Sequence, residues 1–457
     1  MAVSDPIRSA FLALVPVLAL QAAPSYAAAP ILAPNVSTFT LDNGLQVVVI
    51  PDHRTPAVTH MVWYRAGAGE DPPGTSGIAH FLEHLMFKGT KSHPAGEFEA
   101  RITSIGGNQN ASTSSDYTEF HQTVSKEHLG LVMQYEADRM VNVDISEEAV
   151  RTEREVILEE RRMRTDNDPG AQLGEAAAAA LFQNSHTGIP VIGWAHEMAK
   201  LSRADALAFY NRYYTPNNAI VIVAGDVTED EVRALAEQTY GKISRRSEPP
   251  PRFRAVEPPP RAARTVTLAD ARVTQPSLRR SYLVPSYTTA APGEAEALDI
   301  LAEILGGGST SRLYKTLVRG KAVATSSGAG YRSTALDNGV FSIYGVPRGD
   351  IKLDALMTDI DSVINELLDK GVSDEEVTRA RKRLLAGAIY AQDSQGTVAR
   401  VFGQALTCGQ TVAAVQNWPG EVEKVTAEQV NAVARKYLEV RNSVTGYLTG
   451  KSGEGRS

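Results

Sequence analysis

The 457-residue chain predicts an α+β fold of two homologous domains, each a mostly antiparallel sheet packed with helices, joined by a Pro-rich linker. Three observations carry this expectation. Apolar residues alternate in some stretches and recur at three and four positions in others, so strands and helices are interspersed. One stretch, 244–264, holds six prolines and shows neither period. The residues after it repeat the pattern of those before it.

Composition sets the bounds. With 43% hydrophobic and 22% charged residues, the chain can bury two full-sized cores. A formal net charge of −7 argues against nucleic acid as a partner. Cys408 is the only cysteine, which excludes an intramolecular disulfide and a Cys-rich metal site. At the N-terminus, Arg8, the apolar run 10–20 and small residues at 25–29 have the form of a secretory leader over 1–29, cleaved near Ala27 to Ala29. The apolar run is too short for a membrane span, which needs roughly 20 residues. An exported, periplasmic bacterial protein with no membrane span is the expectation.

Residues 39–49 read as a hairpin about Asp42-Asn43-Gly44, and 57–66 as the next strand. A Gly/Pro-rich loop then delivers the chain to Gly77-Ile-Ala-His80-Phe-Leu-Glu83-His84-Leu-Met-Phe-Lys-Gly89, expected to be helical with Gly89 as its stop. Positions i, i+3 and i+4 share a helix face, so His80, Glu83 and His84 converge. Two imidazoles can bind a metal, and a carboxylate one turn away can take a proton from water activated there. With 9 histidines and 53 acidic residues, such a spacing arises by chance about 0.02 times per chain.

A short helix at 97–105 and two adjacent strands over 108–124 follow. Ser146 is placed to cap a helix over 147–164, where Val150, Glu153, Ile157 and Glu160 form one stripe. Carboxylates on a core-facing stripe need partners, either a metal or arginines such as Arg154 or Arg161. An Ala-rich helix, the buried strand 219–226 and a helix at 230–240 complete the first half.

Beyond the linker, Ser373 matches Ser146 at an offset of 227 (373 − 146). Ile157 and Leu158 then fall on Leu384 and Leu385, but Glu153 falls on Ala380 and Glu160 on Gly387. The helix 294–305, which echoes the histidine helix, has no histidine. The second half therefore repeats the scaffold without the candidate metal ligands.

His80-Phe-Leu-Glu83-His84, with Glu153-Arg-Glu-Val-Ile-Leu-Glu-Glu160, resembles the pitrilysin-type M16 metallopeptidases, the family that includes mitochondrial processing peptidase. The resemblance extends through Gly106 to Thr113, Pro190 to Trp194, Tyr214 to Asn218 and Ser311 to Tyr314. It implies zinc held by His80, His84 and Glu160, with Glu83 activating water and Glu153 orienting the ligands. It divides the chain into a leader (1–29), a catalytic domain (30–243), the linker (244–264), a domain without a metal site (265–450) and a tail (451–457). Peptide would add as a strand along Asn110, Ala111, Ser112 and Thr113. The family encloses substrate between four such domains, so a partner is implied. In members that complete the site in trans, the C-terminal half supplies an arginine and a tyrosine. Arg319 matches the arginine, whereas Thr325 or Ser326 stands at the tyrosine position. A heterodimer with a zinc-less homologue is therefore expected over a homodimer. The resemblance thus implies a zinc endopeptidase for peptides or unfolded polypeptides; the competing classes are a non-catalytic assembly subunit and a zinc carrier.

Overall fold

The computed structural model describes residues 31–450. The expected leader, 1–29, and tail, 451–457, lie outside the described residues. The first half contains β1 (Ser37–Thr40), β2 (Gln46–Pro51), β3 (Ala57–Tyr64), α1 (Ile78–Leu85), α2 (Glu97–Ser104), β4 (Asn108–Thr113), β5 (Thr118–Ser125), α3 (Leu129–Asn142), α4 (Glu147–Arg161), α5 (Pro169–Leu181), α6 (Ala195–Met198), α7 (Arg203–Tyr213), β6 (Ala219–Gly225) and α8 (Glu229–Gln238). The second half contains β7 (Arg264–Ala269), β8 (Ser277–Val284), α9 (Glu294–Gly306), β9 (Ala324–Arg332), β10 (Gly339–Pro347), α10 (Leu353–Lys370), α11 (Asp374–Ala391), α12 (Gln395–Thr407), α13 (Val412–Lys424), α14 (Ala427–Tyr437) and β11 (Ser443–Thr449).

Two sheets result, in the orders β1-β2-β6-β3-β5-β4 and β7-β11-β8-β10-β9. Each is antiparallel except for one parallel pair, β2 with β6 and β7 with β11. From β2 onwards the two orders correspond strand for strand, so the repeat read in the sequence is a repeat of topology. One face of the first sheet packs on helices that include α1, α3 and α7. The equivalent face of the second sheet packs on α9, α10 and α14.

The opposite faces are covered by exchange. Helix α12 lays Val398, Ala399, Phe402 and Leu406 against Trp63, Ile220 and Ile222 of the first sheet. In return, Leu181 of α5 and the adjacent Phe182 pack on Val444 of the second sheet. The two helices occupy matching positions in the repeat: Asp168 caps α5 and Ser394 caps α12. Each half therefore buries one face of its sheet with a helix from the other.

One expectation is corrected. The histidine helix ends at Leu85, not at Gly89; Gly89, with φ +98°, sits in the turn beyond and bridges to Pro94. The linker has no helix or strand over 244–263, as its composition predicts, and it is held against the domains it joins. Arg252 and Arg254 turn inward onto Glu70 and Asp116, and the carboxylate of Glu257 accepts from the backbone N–H groups of Gln183, Asn184 and Ser185. Arginines supply the anchors, while the prolines remove donors that a docked strap would otherwise leave unpaired.

Candidate metal centre

Helix α1 is short and almost wholly buried, so its start must be made carefully. Gly77 precedes it at φ +85°, and a Cβ there would lie 2.4 Å from the carbonyl oxygen of Ile192. Asp71 supplies the cap from outside the helix, accepting from the N–H groups of Gly77 at 2.7 Å and Ala79 at 3.1 Å. The segment 190–193, close against this end, fixes the helix in rotation.

Helix α4 begins at Ser146, whose hydroxyl accepts from Ala149 N–H. Its stripe faces inward as expected: Val150, Glu153 and Ile157 are 1%, 5% and 0% exposed. Glu155 and Glu159 are exposed to solvent. Packing of α1 on α4 brings the two motifs together. Glu160 Oε2 stands 3.4 Å from His84 Nε2 and 3.7 Å from His80 Nε2. One ligand atom from each of His80, His84 and Glu160 lies within 4.8 Å of the others.

The electrostatics of this trio are those of a cation site. Burial and the neighbouring His84 hold His80 down to about 4, so its ring is neutral and can act as a ligand. Burial acts in the same direction on His84, but Glu153 and Glu160 outweigh it and push that ring up to about 9. The adjoining His84 ring lowers Glu160 against the opposing effect of burial. Glu160 Oε2 and His80 Nδ1 are buried and receive no hydrogen bond. Two imidazole nitrogens and one carboxylate oxygen, converging with an unsatisfied oxygen among them, fit zinc with an open fourth position.

Around the trio, Glu153 accepts from His84 Nδ1 at 3.3 Å through one oxygen and meets Lys88 Nζ at 2.6 Å through the other. This orients the His84 ring so that Nε2 faces Glu160. Burial would raise the Glu153 carboxyl; His84 and Lys88 overcome it and keep it low. Glu160 Oε1 pairs with Arg164 at 2.7 Å, on a π-helical turn over Arg162–Asp166. Arg161, weighed as a partner of these carboxylates, instead bonds Glu175 and the Gly193 carbonyl. Glu83, one residue before His84, accepts from Thr113 Oγ1 at 2.5 Å, and burial raises its carboxyl.

That contact places β4 beside the site. β4 pairs with β5 on one side only, so the edge bearing Asn110, Ala111, Ser112 and Thr113 is open to another strand. Arg319 is not brought to the trio: it is exposed on a π-helical turn of the second half and makes no ion pair with the site among the described residues. Thr325, one of the two residues at the expected tyrosine position, bonds Val346 and Gln275.

Sequence reasoning missed Asp71, Lys88 and Arg164. Arg164 had a readable signal, since it lies four residues after Glu160. Lys88 and Asp71 lie outside α1 and reach their partners only through the turns flanking it.

A short two-histidine helix crossed by an acidic helix, in a duplicated α+β scaffold, defines a class of metallopeptidase-like proteins. The sequence model described as insulinase (peptidase family M16) matches residues 46–194, and that of the peptidase M16 inactive domain matches 200–384. The zinc protease PqqE of Helicobacter pylori is 30% identical over 91% of this chain and 93% of its own. The crystal structure of a protease from Helicobacter pylori superposes with a TM-score of 0.84 at 29% identity, covering 91% of this chain and all of that one. The periplasmic protease PqqL from Escherichia coli shares the fold at 20% identity and a TM-score of 0.79; the match covers 93% of this chain and 48% of PqqL. The chain belongs to peptidase family M16.

Proposed function

We propose that this protein is a zinc-dependent endopeptidase that cleaves peptides or unfolded polypeptides in a closed chamber, as the catalytic subunit of a dimer. The observation carrying this reading is the convergence of His80, His84 and Glu160 within 4.8 Å, with Glu83 beside them. All four functional groups are present, which a non-catalytic assembly subunit would have no reason to keep; the inactive-domain match falls on the region after residue 199, outside these groups.

Zinc, when bound by His80, His84 and Glu160, supplies a Lewis acid that polarises the scissile carbonyl and acidifies water. The chain's own groups do the rest. A peptide pairs with the free edge of β4, which sets its scissile bond beside Glu83. The raised carboxyl of Glu83 accepts a proton from the attacking water and returns it to the departing amine, while Thr113 holds its other state in place. Glu153 and Lys88 keep the His84 ring oriented throughout.

A partner is part of the proposal. PqqL is about twice the length of the matched region, which supports an enclosure built from two such units. With Thr325 or Ser326 where a tyrosine would complete the pair with Arg319, we assign the second unit to a zinc-less homologue carrying both, over a second copy. Export to the periplasm follows from the leader-like N-terminus; no described helix is long and apolar enough to cross a membrane.

Glu83→Gln tests the reading: it should bind zinc at the wild-type stoichiometry and lose at least about 1,000-fold in peptide cleavage. Cleavage at the normal rate would reassign the base. Bound metal with no hydrolysis in the wild-type chain, alone and with its homologue, would make it a zinc carrier; a chain that takes up no zinc would be an assembly subunit.

A further inference from the structure

A cavity of about 390 Å³ opens in the second half, bounded by α9, α11, α12 and α13. The internal repeat explains its position. Helices α1 and α9 both follow a glycine in the left-handed region, Gly77 at φ 85° and Gly293 at φ 80°. Aligning the two glycines gives an offset of 216 (293 − 77), which sets His80 on Glu296, Glu83 on Asp299 and His84 on Ile300. The offset of 227 between α4 and α11 sets Glu160 on Gly387. Asp299 and Gly387 both line the cavity. It lies beside the second half's counterpart of the candidate metal centre, in the angle of the same two helices: Gly387 stands where Glu160 would be and leaves its space open, and Asp299 stands at the position of Glu83.

What remains there has a definite chemistry. The walls are largely apolar, from Leu384, Ala388, Val398 and Val401. At one end, Asp299 accepts from the Tyr287 hydroxyl, whose oxygen in turn accepts from Trp418 Nε1 at 2.6 Å. Glu296 lies one helical turn before Asp299, and among the described residues no lysine or arginine pairs with either carboxylate. Burial pushes Asp299 up to about 7 and raises Glu296 as well. Leu32 also lines the cavity. It is tied there by its N–H to the Gln416 carbonyl at 3.0 Å and by Ala33 N–H to Gln392 Oε1 at 3.0 Å.

We propose that this cavity binds an organic cation, a primary ammonium whose nitrogen pairs with Asp299 beside the rings of Tyr287 and Trp418 and whose apolar body lies between α11 and α12. A buried carboxylate with no cationic partner favours an ammonium, and apolar walls of this volume favour an alkyl chain. The site is independent of peptide hydrolysis in the first half.

The test is calorimetric titration of the full chain with hexylammonium and with 1-hexanol. The amine should bind saturably and about ten-fold more tightly than the alcohol, with a change in tryptophan emission. Asp299→Asn should abolish the preference while leaving weak binding of both. Gly387→Phe should abolish binding of both; a Cβ at Gly387 meets nothing within 4 Å, so the variant enters open space, and an unchanged circular dichroism spectrum confirms its fold. Val401→Trp, from the facing helix, provides a second block. An Nα-acetylated lysine–leucine dipeptide amide, titrated in parallel, distinguishes a polypeptide side chain from a free amine as the source of the ammonium. Equal affinity for amine and alcohol, no saturable binding of either, or amine binding that survives both blocking variants would overturn the proposal.

Discussion

His84 joins the parts of the candidate site, since its two nitrogens touch Glu153 and Glu160 while His80 lies edge-on to its ring. In the metal-free protein its pKa is above that of an unfolded histidine. Its contribution to stability is therefore complete below about 6.5 and lost as pH rises through about 9. Denaturation midpoints of the metal-free protein should fall across that window, and fall less in His84→Gln. Zinc needs the neutral ring, so binding at pH 7.5 should release about one proton. Calorimetry in buffers of different ionisation enthalpy measures it directly. Glu153→Gln keeps a hydrogen-bonding group on His84 but removes the charge that Lys88 and His84 share. Zinc affinity should fall roughly 10- to 100-fold in chelator competition. An unchanged affinity would mean that Glu153 serves packing alone.

At the scale of elements, the exchanged helices decide how the halves cohere. Gly403 on α12 passes directly over Trp63 of β3, and a Cβ there would lie 2.1 Å from the indole. Trp63 is fully buried and cannot swing away. Gly403→Ala should therefore cost about 3 kcal/mol, the upper end for overpacking, measured by urea denaturation. The open edge of β4 is the complementary case. It is short and polar, with alternate residues exposed, which suits transient pairing with a peptide and resists edge-to-edge aggregation.

For the whole molecule, α5, α12 and the linker cross between halves, so neither sheet has both faces covered without the other half. Arg254 and Arg252 pair with Glu70 and Asp116, Arg252 also donates to the Thr407 carbonyl, and Asp116 accepts from Leu336 N–H. One buried cluster thus ties the linker to both halves. Calorimetry should show a single unfolding transition rather than two. Arg254→Ala should lower it without splitting it, at the lower end of roughly 3–5 kcal/mol, because Arg252 still neutralises part of the buried negative charge left behind. Two resolved transitions would show that the halves fold separately.

By itself the sequence determined the strand and helix pattern around both motifs, the repeat, the stripe of Val150, Glu153, Ile157 and Glu160, and the face shared by His80, Glu83 and His84. These are local properties: a helical face depends on spacings of three and four residues, and a cap on a single serine. The tertiary structure alone decided that Glu160 meets the histidines, that Lys88 and Asp71 support them, that Thr113 holds Glu83, and that α5 and α12 are exchanged. It also brought Asp299 and Gly387 to one cavity beside the counterpart of the candidate metal centre. Each of these joins residues far apart in the chain, and which distant surfaces meet is set by how two sheets bury all their faces at once, a condition that no local period encodes.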